Sequence, residues 1–325
     1  MTIKLDDVAK LAGVSKTTVS RVLNNRGYLS EETKKKVNKA MKELNYQPNA
    51  VARQLFRKKT NLVGLIFPTV DNPFFGELVA ELEPRLFKAG FKVFIGNSMN
   101  DPEKEKAYLR ELISNQVDGL IVGAHNYNID EYMNTNLPIV AIDRIINKDI
   151  PVISSDNYQG GKLATELLIK RGAKFIVITD GPLSLQTPAH KRRQAYQDVM
   201  KAHGLEPRTF LINFSWSIEK KKRSIEKMFQ KFPTMDGVFA TNDIDAAMVW
   251  QTAEELGIEV PADLKIIGYD SAHSTRLLLP KLTTIEQPIS AMAEAAVHTL
   301  LQRISGENII CEQVLPVRVW HGRSV

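Results

Sequence analysis

The apolar and polar positions of this chain change rhythm once. From residue 5 to residue 44, apolar residues recur at helical spacing on three short segments. Val8, Ala12, Val14, Val19 and Val22 fall on one patch of the first two segments, and Val37, Met41 and Leu44 form the stripe of the third. Ala9 stands where the first two helices would cross, a place that admits only a small side chain. Gly13 opens the three-residue turn between them, where a positive φ is wanted and glycine has no Cβ to clash. Ser15 is placed to cap the second helix and Ser30 the third, predicted over 31–44 with Glu31 and Glu32 in its favourable first turn. From Leu62 onward, short continuous apolar runs alternate with amphipathic segments. Strands at 62–67, 92–96, 119–122 and 139–143 alternate with helices at 73–89, 102–115 and 129–135. The rhythm restarts with strands at 175–179, 209–212, 237–240 and 264–269 and helices at 189–202, 218–232 and 243–256. Continuous apolar strands between helices predict parallel sheets buried on both faces, an α/β fold. Two similar lobes are expected, roughly 61–160 and 161–290, with the chain crossing between them more than once. A last helix at 290–304 returns toward the first lobe.

The outer face of the second helix carries Lys16, Thr17, Ser20, Arg21 and Asn24. Their spacing of i, i+1, i+4, i+5 and i+8 puts these donors and small polar groups together. An apolar inner face with a basic, hydrogen-bonding outer face suits a helix in the DNA major groove. A plain helical hairpin with a solvated face would not require small residues at every crowded position at once. Lys34, Lys35, Lys36 and Lys39 on the third helix read as a solvated or phosphate-facing edge. Beyond Pro48, Asn49 can cap a short helix that runs to Leu55, too short to be stable alone in water. It reads either as a linker or as a hinge that orders on DNA, with Leu55 as an apolar wedge between base steps.

Charge sharpens the division. Residues 1–60 hold 14 Lys and Arg against 5 Asp and Glu, net +9; the remainder holds 29 against 32, net −3. A basic head on a mildly acidic body points to a polyanion partner for the head only. A single cysteine, Cys311, excludes an internal disulfide framework and suits a reducing compartment. The chain opens on a charged helix without an apolar signal segment, and no run approaches 18 apolar residues, so a cytoplasmic protein with no membrane partner is expected.

In paired open sheets, ligands sit in the crevice at the carboxyl ends of the strands. Polar residues gather at those ends: Asp143, Asn242, Asp243 and Asp270, with Gln287 after a late strand and Arg192 early in a helix. Phe74, Phe75 and Trp216 lie on strand-to-helix loops, and a flat ring can cover the apolar face of a sugar or stack on a base. Each has a plainer reading, such as a helix cap for Asp243 or a core aromatic for Phe75. Together they favour a small polar ligand. Enzyme signals are poor: GxSxG, Walker A, HExxH and GxGxxG motifs are absent. Gly160-Gly161-Lys162 lacks the spacing and the Ser or Thr of a phosphate loop. The six histidines have no ligand spacing, so neither a metal nor a cofactor is expected.

From about residue 3 to the end the chain resembles the LacI/GalR family of bacterial transcription regulators. The motifs that carry this are DVAKLAGVSKTTVSRVLN, then YQPNAVARQL, SSDNYQGG, ATND, LKIIGYD and LTTIEQP, in family order. GYLSEETKKKV, NQVDGLIV and IIGYDSAH are most similar to sugar-catabolism repressors of low-GC Gram-positive bacteria, those of sucrose operons among them. The resemblance implies a helix-turn-helix headpiece over 1–47, a hinge helix and linker over 48–60, and a two-lobed periplasmic-binding-protein-like core over 61–325. The base-reading pair falls on Lys16 and Thr17 with Arg21 one turn on, and the minor-groove lever on Leu55. The DNA-facing set is then Ser15, Lys16, Thr17, Thr18, Ser20, Arg21 and Asn24, with Asn49, Ala52 and Leu55 at the hinge. The effector set is Phe74, Asp143, Arg192, Trp216, Asn242, Asp270 and Gln287. Ala195 departs from the glycine that many members carry after the effector arginine. The leucine-heptad helix used for tetramers does not appear before Val325, so a homodimer is implied.

The expected function is a repressor of a carbohydrate-utilisation operon, binding double-stranded operator DNA under control of a small sugar or sugar phosphate. Alternatives are a global catabolite regulator with a phosphorylated protein co-repressor, a sugar-binding transport receptor, and an α/β enzyme with a DNA-binding appendage. The basic headpiece argues against the receptor, and the missing catalytic motifs argue against the enzyme.

Overall fold

The computed structural model describes residues 3–24, 26–47, 60–99, 101–124, 126, 129–182, 187–307, 309 and 312–325. The chain divides into two compact units, Met1–Thr60 and Asn61–Val325. The first holds α1 (Leu5–Ala12), α2 (Lys16–Asn24) and α3 (Glu31–Glu43). Val8, Ala9, Ala12, Val19, Val37 and Ala40 are buried together, with Val14, Val22, Met41 and Leu44 packed around them. Gly13 ends α1 at φ 66°, and the Gly13 and Val14 amides donate back to the Lys10 and Ala9 carbonyls at 3.3 and 3.1 Å. The left-handed turn thus satisfies the last carbonyls of α1 while it redirects the chain. Ser15 Oγ accepts from the Thr18 amide at 3.1 Å, and Ser30 Oγ from the Thr33 amide at 3.2 Å, so each following helix starts on a side-chain cap.

The second unit is built on two six-stranded sheets. In the first lobe β1 (Leu62–Phe67), α4 (Pro73–Lys88), β2 (Lys92–Asn97), α5 (Pro102–Ser114), β3 (Gly119–Val122), β4 (Ile139–Ile142) and β5 (Val152–Ser155) follow in order. The second lobe takes α6 (Asn157–Lys170), β6 (Ile176–Asp180), α7 (His190–Ala202), β7 (Arg208–Leu211), α8 (Ile218–Lys231), β8 (Gly237–Phe239), α9 (Asp243–Glu255), β9 (Lys265–Asp270), α10 (His273–Leu278) and β10 (Thr283–Glu286). Then α11 (Ile289–Ile304) and β11 (Glu312–Leu315) return to the first lobe, and β12 (Arg318–Trp320) to the second. The strand orders are β11-β5-β4-β3-β1-β2 and β12-β10-β9-β8-β6-β7. Every pairing is parallel except β10 with β12. The two sheets repeat one winding, so the end of β4 and the end of β9 are corresponding places.

The α/β class and the two lobes read from the apolar pattern are what the chain adopts. Val63, Leu65, Ile66 and Phe67 of β1 are wholly buried, because helices cover both sides of each sheet. As expected, α11 packs on α4 and on β3, β4 and β5 of the first lobe. Two expectations need correction. The helix predicted at 129–135 is only a 3-10 turn, Asp130–Tyr132. Its Tyr132 is drawn into the interior, where the hydroxyl donates to buried Glu105 at 2.6 Å, and Asn134, Asn136 and Pro138 favour turns over a continued helix. The boundary near 161 moves to Asp156. All of α6 packs against α7, β8, β9, β10 and β12 of the second lobe.

Candidate functional site

On the headpiece, α2 buries Val19 and leaves its polar face toward water. Ser15, Lys16, Thr17 and Arg21 are exposed, and Thr18, Ser20 and Asn24 are half-buried. Lys16 Nζ lies 3.0 Å from Asp6 Oδ2 of α1, an exposed pair that salt screens readily and a phosphate could replace. Asn24 Nδ2 donates to the Ser20 carbonyl at 2.9 Å, which ties it to the helix end rather than projecting it outward. Tyr28, in the loop that follows, is 98% exposed, an aromatic with no core to fill and one that helical patterning did not single out. Asn49, Ala52 and Leu55 lie outside the described residues.

In the second unit the polar residues expected at the strand ends form a connected network. Arg192, buried early in α7, donates from Nε to Asn157 Oδ1 at 2.7 Å and from Nη1 to the Thr241 carbonyl at 2.7 Å. Its Nη1 is 3.9 Å from Asp270 Oδ1, and its guanidinium carbon lies 3.5 Å from the centre of the Tyr269 ring. Asn157 Nδ2 reaches Asp143 Oδ1 at 3.4 Å. Gln287 joins both sheets: its Nε2 donates to Asp270 Oδ1 at 2.7 Å, and its Oε1 accepts from Ser155 Oγ at 2.7 Å. The network therefore sits where the chain passes between lobes, after β5 and after β10.

Asp143 follows β4 and Asp270 ends β9, the corresponding strands of the two lobes, and both have positive φ, 47° and 109°. Non-glycine residues rarely adopt such backbone, and they do so preferentially at ligand clamps. Burial pushes the Asp143 carboxyl up to about 6, although Arg192 and Asn157 favour its charged form. Burial likewise pushes Asp270 up to about 7 against the pull of Arg192 and Gln287, with Asp143 and Asp245 adding repulsion. Asp243, buried beside them, is raised by burial and then by Asp270; its Oδ1 accepts from Thr284 Oγ1 at 2.6 Å and its Oδ2 from the Ser271 amide at 2.7 Å.

The other expected residues lie differently. Asn242 caps α9, accepting from the Asp245 amide at 2.8 Å and donating to the Asp245 carboxylate at 2.7 Å. Asp245 in turn holds buried Lys221 at 3.0 Å. Trp216 is half-buried on the apolar core of the second lobe, with Lys220 Nζ 4.4 Å from its ring centre. Phe74 is buried in the core of the first lobe, its ring set edge-on to Phe75 at 5.1 Å. Asn157, Ser155, Tyr269 and the Thr241 carbonyl were not singled out. The motif SSDNYQGG held two of them in plain view, but nothing local marks which polar residue of such a run faces inward.

The glycines of that motif find their reason here. A Cβ on Gly160 would overlap the Tyr269 hydroxyl, and one on Gly161 would overlap the backbone of Arg192. They let α6 approach α7 and β9 closely, which is what brings Asn157 to Arg192. Among the described residues no group of His, Cys, Asp and Glu could hold a metal ion, and no helix is long and apolar enough to cross a membrane.

A basic helix-turn-helix joined to paired parallel sheets with a polar network between them defines a ligand-responsive DNA-binding regulator. The chain belongs to the LacI family: the pattern of bacterial regulatory proteins of that family matches residues 4–49, and that of periplasmic binding proteins and the LacI sugar-binding domain matches 60–316. A sucrose operon repressor of Pediococcus pentosaceus is 45% identical over 321 residues, 98% of each chain. The lac repressor dimer bound to operator and the anti-inducer ONPF superposes with TM-score 0.86 at 28% identity, over 100% of this chain and 99% of that one. A LacI-type regulator from Alkaliphilus metalliredigens QYMF, complexed with D-xylulofuranose, has TM-score 0.75 and 32% identity over 82% of this chain and 99% of that one.

Proposed function

We propose that this protein is a sugar-responsive repressor of a carbohydrate-utilisation operon. It acts in the cytoplasm as a homodimer, with one headpiece on each half of a pseudo-palindromic operator, and carries out no catalysis. Its working parts are the headpiece at 1–47, the hinge and linker at 48–60, and the core at 61–325. Ser15, Lys16, Thr17, Thr18, Ser20, Arg21 and Asn24 meet the duplex, with Asn49, Ala52 and Leu55 at the hinge. Asp143, Arg192, Asp270 and Gln287 hold the effector, with Phe74, Trp216 and Asn242 at its margins.

The observation that carries this reading is the single Arg192, tied to Asn157 at 2.7 Å and facing Asp270 at 3.9 Å where the two lobes meet. A ligand that contacts both lobes binds their alternative arrangements unequally, and only such a difference can shift a switch. The sugar held by the Alkaliphilus relative and the operon named for the Pediococcus relative support a sugar as effector and an operon-specific role over that of a global regulator.

The test is an operator titration by fluorescence anisotropy with and without each sugar of a panel selected by thermal shift. Ligand at about 100 times its dissociation constant should add roughly 2.7 kcal/mol of stability. A sugar that stabilises the protein but leaves operator affinity unchanged would refute the switch.

A further inference from the structure

The headpiece carries five acidic side chains, and four of them act within their own helix or its cap. Asp7 accepts from the Lys4 amide at 2.8 Å and closes the start of α1. Glu31, Glu32 and Glu43 pair with Lys34, Lys36 and Lys39, one turn away on α3, at 2.7, 2.8 and 3.8 Å. Among the described residues only Asp6 reaches across to another helix. Its Oδ2 lies 3.0 Å from Nζ of Lys16, the first residue of α2. The shared core of Val8, Ala12 and Val19 holds α1 against α2 and so fixes this placement. Both partners are exposed, so the pair adds little to stability. A first-turn carboxylate also suits the α1 dipole, but the dipole asks for no partner on α2.

The first turn of a recognition helix meets base edges, so Lys16 has two destinations on a duplex. On a phosphate it would leave Asp6 unpaired against the backbone, a like-charge cost blind to sequence. At a base edge the two can act together. A G·C pair shows guanine O6 and N7 as acceptors and the cytosine N4 amino group as donor. O6 and N4 are hydrogen-bonded to each other, about 2.9 Å apart. The 3.0 Å between Nζ and Oδ2 has that spacing, with the ammonium for O6 and N7 and the carboxylate for N4. An A·T pair offers only thymine O4 beside its amino group, next to a methyl, and the ammonium loses its second acceptor.

We propose that Asp6 is a specificity-determining residue: with Lys16 it reads one G·C base pair in each half-site and penalises phosphate contact by Lys16 elsewhere. This rests on the headpiece reading above and adds to it a residue of α1.

The experiment titrates the full-length protein by fluorescence anisotropy, over a series of salt concentrations, against two probes. One is the duplex that the wild-type protein selects from a randomised library, the other a random duplex of equal length. Asp6→Asn should bind the random duplex more tightly. Its salt slope there should steepen by about 0.9 for each headpiece, as Lys16 takes a phosphate. The ratio of selected to random affinity should fall about tenfold, within the range that one base contact carries. A selection repeated with this variant should lose a G·C preference at one position of each half-site. In a Lys16→Ala background the same change should leave the ratio within about twofold, since the reading unit is already broken. Glu43→Gln removes an equal charge on α3 and should leave the ratio unchanged, which separates position from net charge. Equal gains on both duplexes for Asp6→Asn, or no change on either, would overturn the proposal. If the wild-type protein selects no preferred duplex, the headpiece reading falls and this inference falls with it.

Discussion

The headpiece and the core solve opposite problems with the same side-chain chemistry. On α2 the polar groups are adjacent in sequence and exposed or half-buried; Lys16 rests on Asp6 in water. In the core they come from residues as far apart as Asp143 and Gln287, are buried, and are hydrogen-bonded to one another. An exposed donor loses little when it trades a side-chain partner for a phosphate, so the headpiece suits reversible, salt-sensitive contact with a polyanion. A buried charge without its partner costs several kcal/mol, so the core network suits a ligand that completes or rearranges a closed set. The difference separates the two tasks: affinity for DNA is spread over a surface, and the response to ligand is concentrated on a few linked groups.

The sharpest way to break this comparison is to unlink the core set. Arg192→Ala or Asp270→Asn removes charge-assisted hydrogen bonds worth roughly 1.5–3 kcal/mol each. A full switch from 99:1 to 1:99 needs about 5.5 kcal/mol of differential affinity, so losing one should abolish most of the response. Operator affinity without ligand should stay within a few-fold, because neither residue belongs to the headpiece. An unchanged ligand midpoint in operator titrations of both variants would show that these residues are structural.

On the headpiece side, Arg21→Ala should weaken operator binding by roughly 1–3 kcal/mol and relax preference at one base position. Competition against random duplex reads the outcome. Equal losses on both would make Arg21 a phosphate contact only. Leu55→Ala should reduce operator bending, measured by energy transfer across the duplex, and weaken specific binding, with the stability of the free protein nearly unchanged. An unaltered bend angle would remove the wedge from the account.

The packing that joins α6 to α7 offers a purely structural lever. Gly161→Ala forces a methyl into the backbone of Arg192 and should cost about 1–3 kcal/mol in denaturant unfolding. It should also weaken effector binding, since Asn157 and Arg192 move apart. The smallest expected effect is the pH dependence of the free core. Asp270 is raised from an ordinary 3.8 to about 7 and Asp143 to about 6, so the folded state binds more protons than the unfolded one between about pH 4 and 7. Stability therefore falls as pH rises through that window and levels off above it. The groups facing Asp270 are Arg192, Gln287, Asp143, Asp243 and Asp245; those facing Asp143 are Arg192 and Asn157. The core Tm should be about 2–4 °C higher at pH 6 than at pH 8, roughly 1 kcal/mol for a unit of this size. Asp270→Asn should flatten the trend.

The two regions also differed in how legible they were. The helix-turn-helix could be read almost entirely from the chain, because capping, the Gly13 turn and the buried valines are local and each leaves its mark within a few residues. The alternating strands and helices of the core were legible for the same reason, as were the carboxylates at the ends of β4 and β9. Phe74 shows the limit: the pattern places an aromatic in the first turn of α4 near the strand ends, but which neighbours bury its ring is decided by how α4 packs. Trp216 and Asn242 show the same limit, one resting on the core of the second lobe and the other capping α9.

What the sequence by itself determined is everything set by periodicity and local chemistry: the class of each element, its caps, the basic head, and the strand ends where polar residues gather. What only the tertiary structure decided is which of those polar residues meet. Asn157 reaches Arg192 because two glycines let two helices close, and Gln287 reaches Ser155 because the chain passes three times between the lobes. The physical reason is range. Capping and burial act over a few residues of chain, whereas hydrogen bonds between residues more than a hundred positions apart exist only once both sheets have formed and packed.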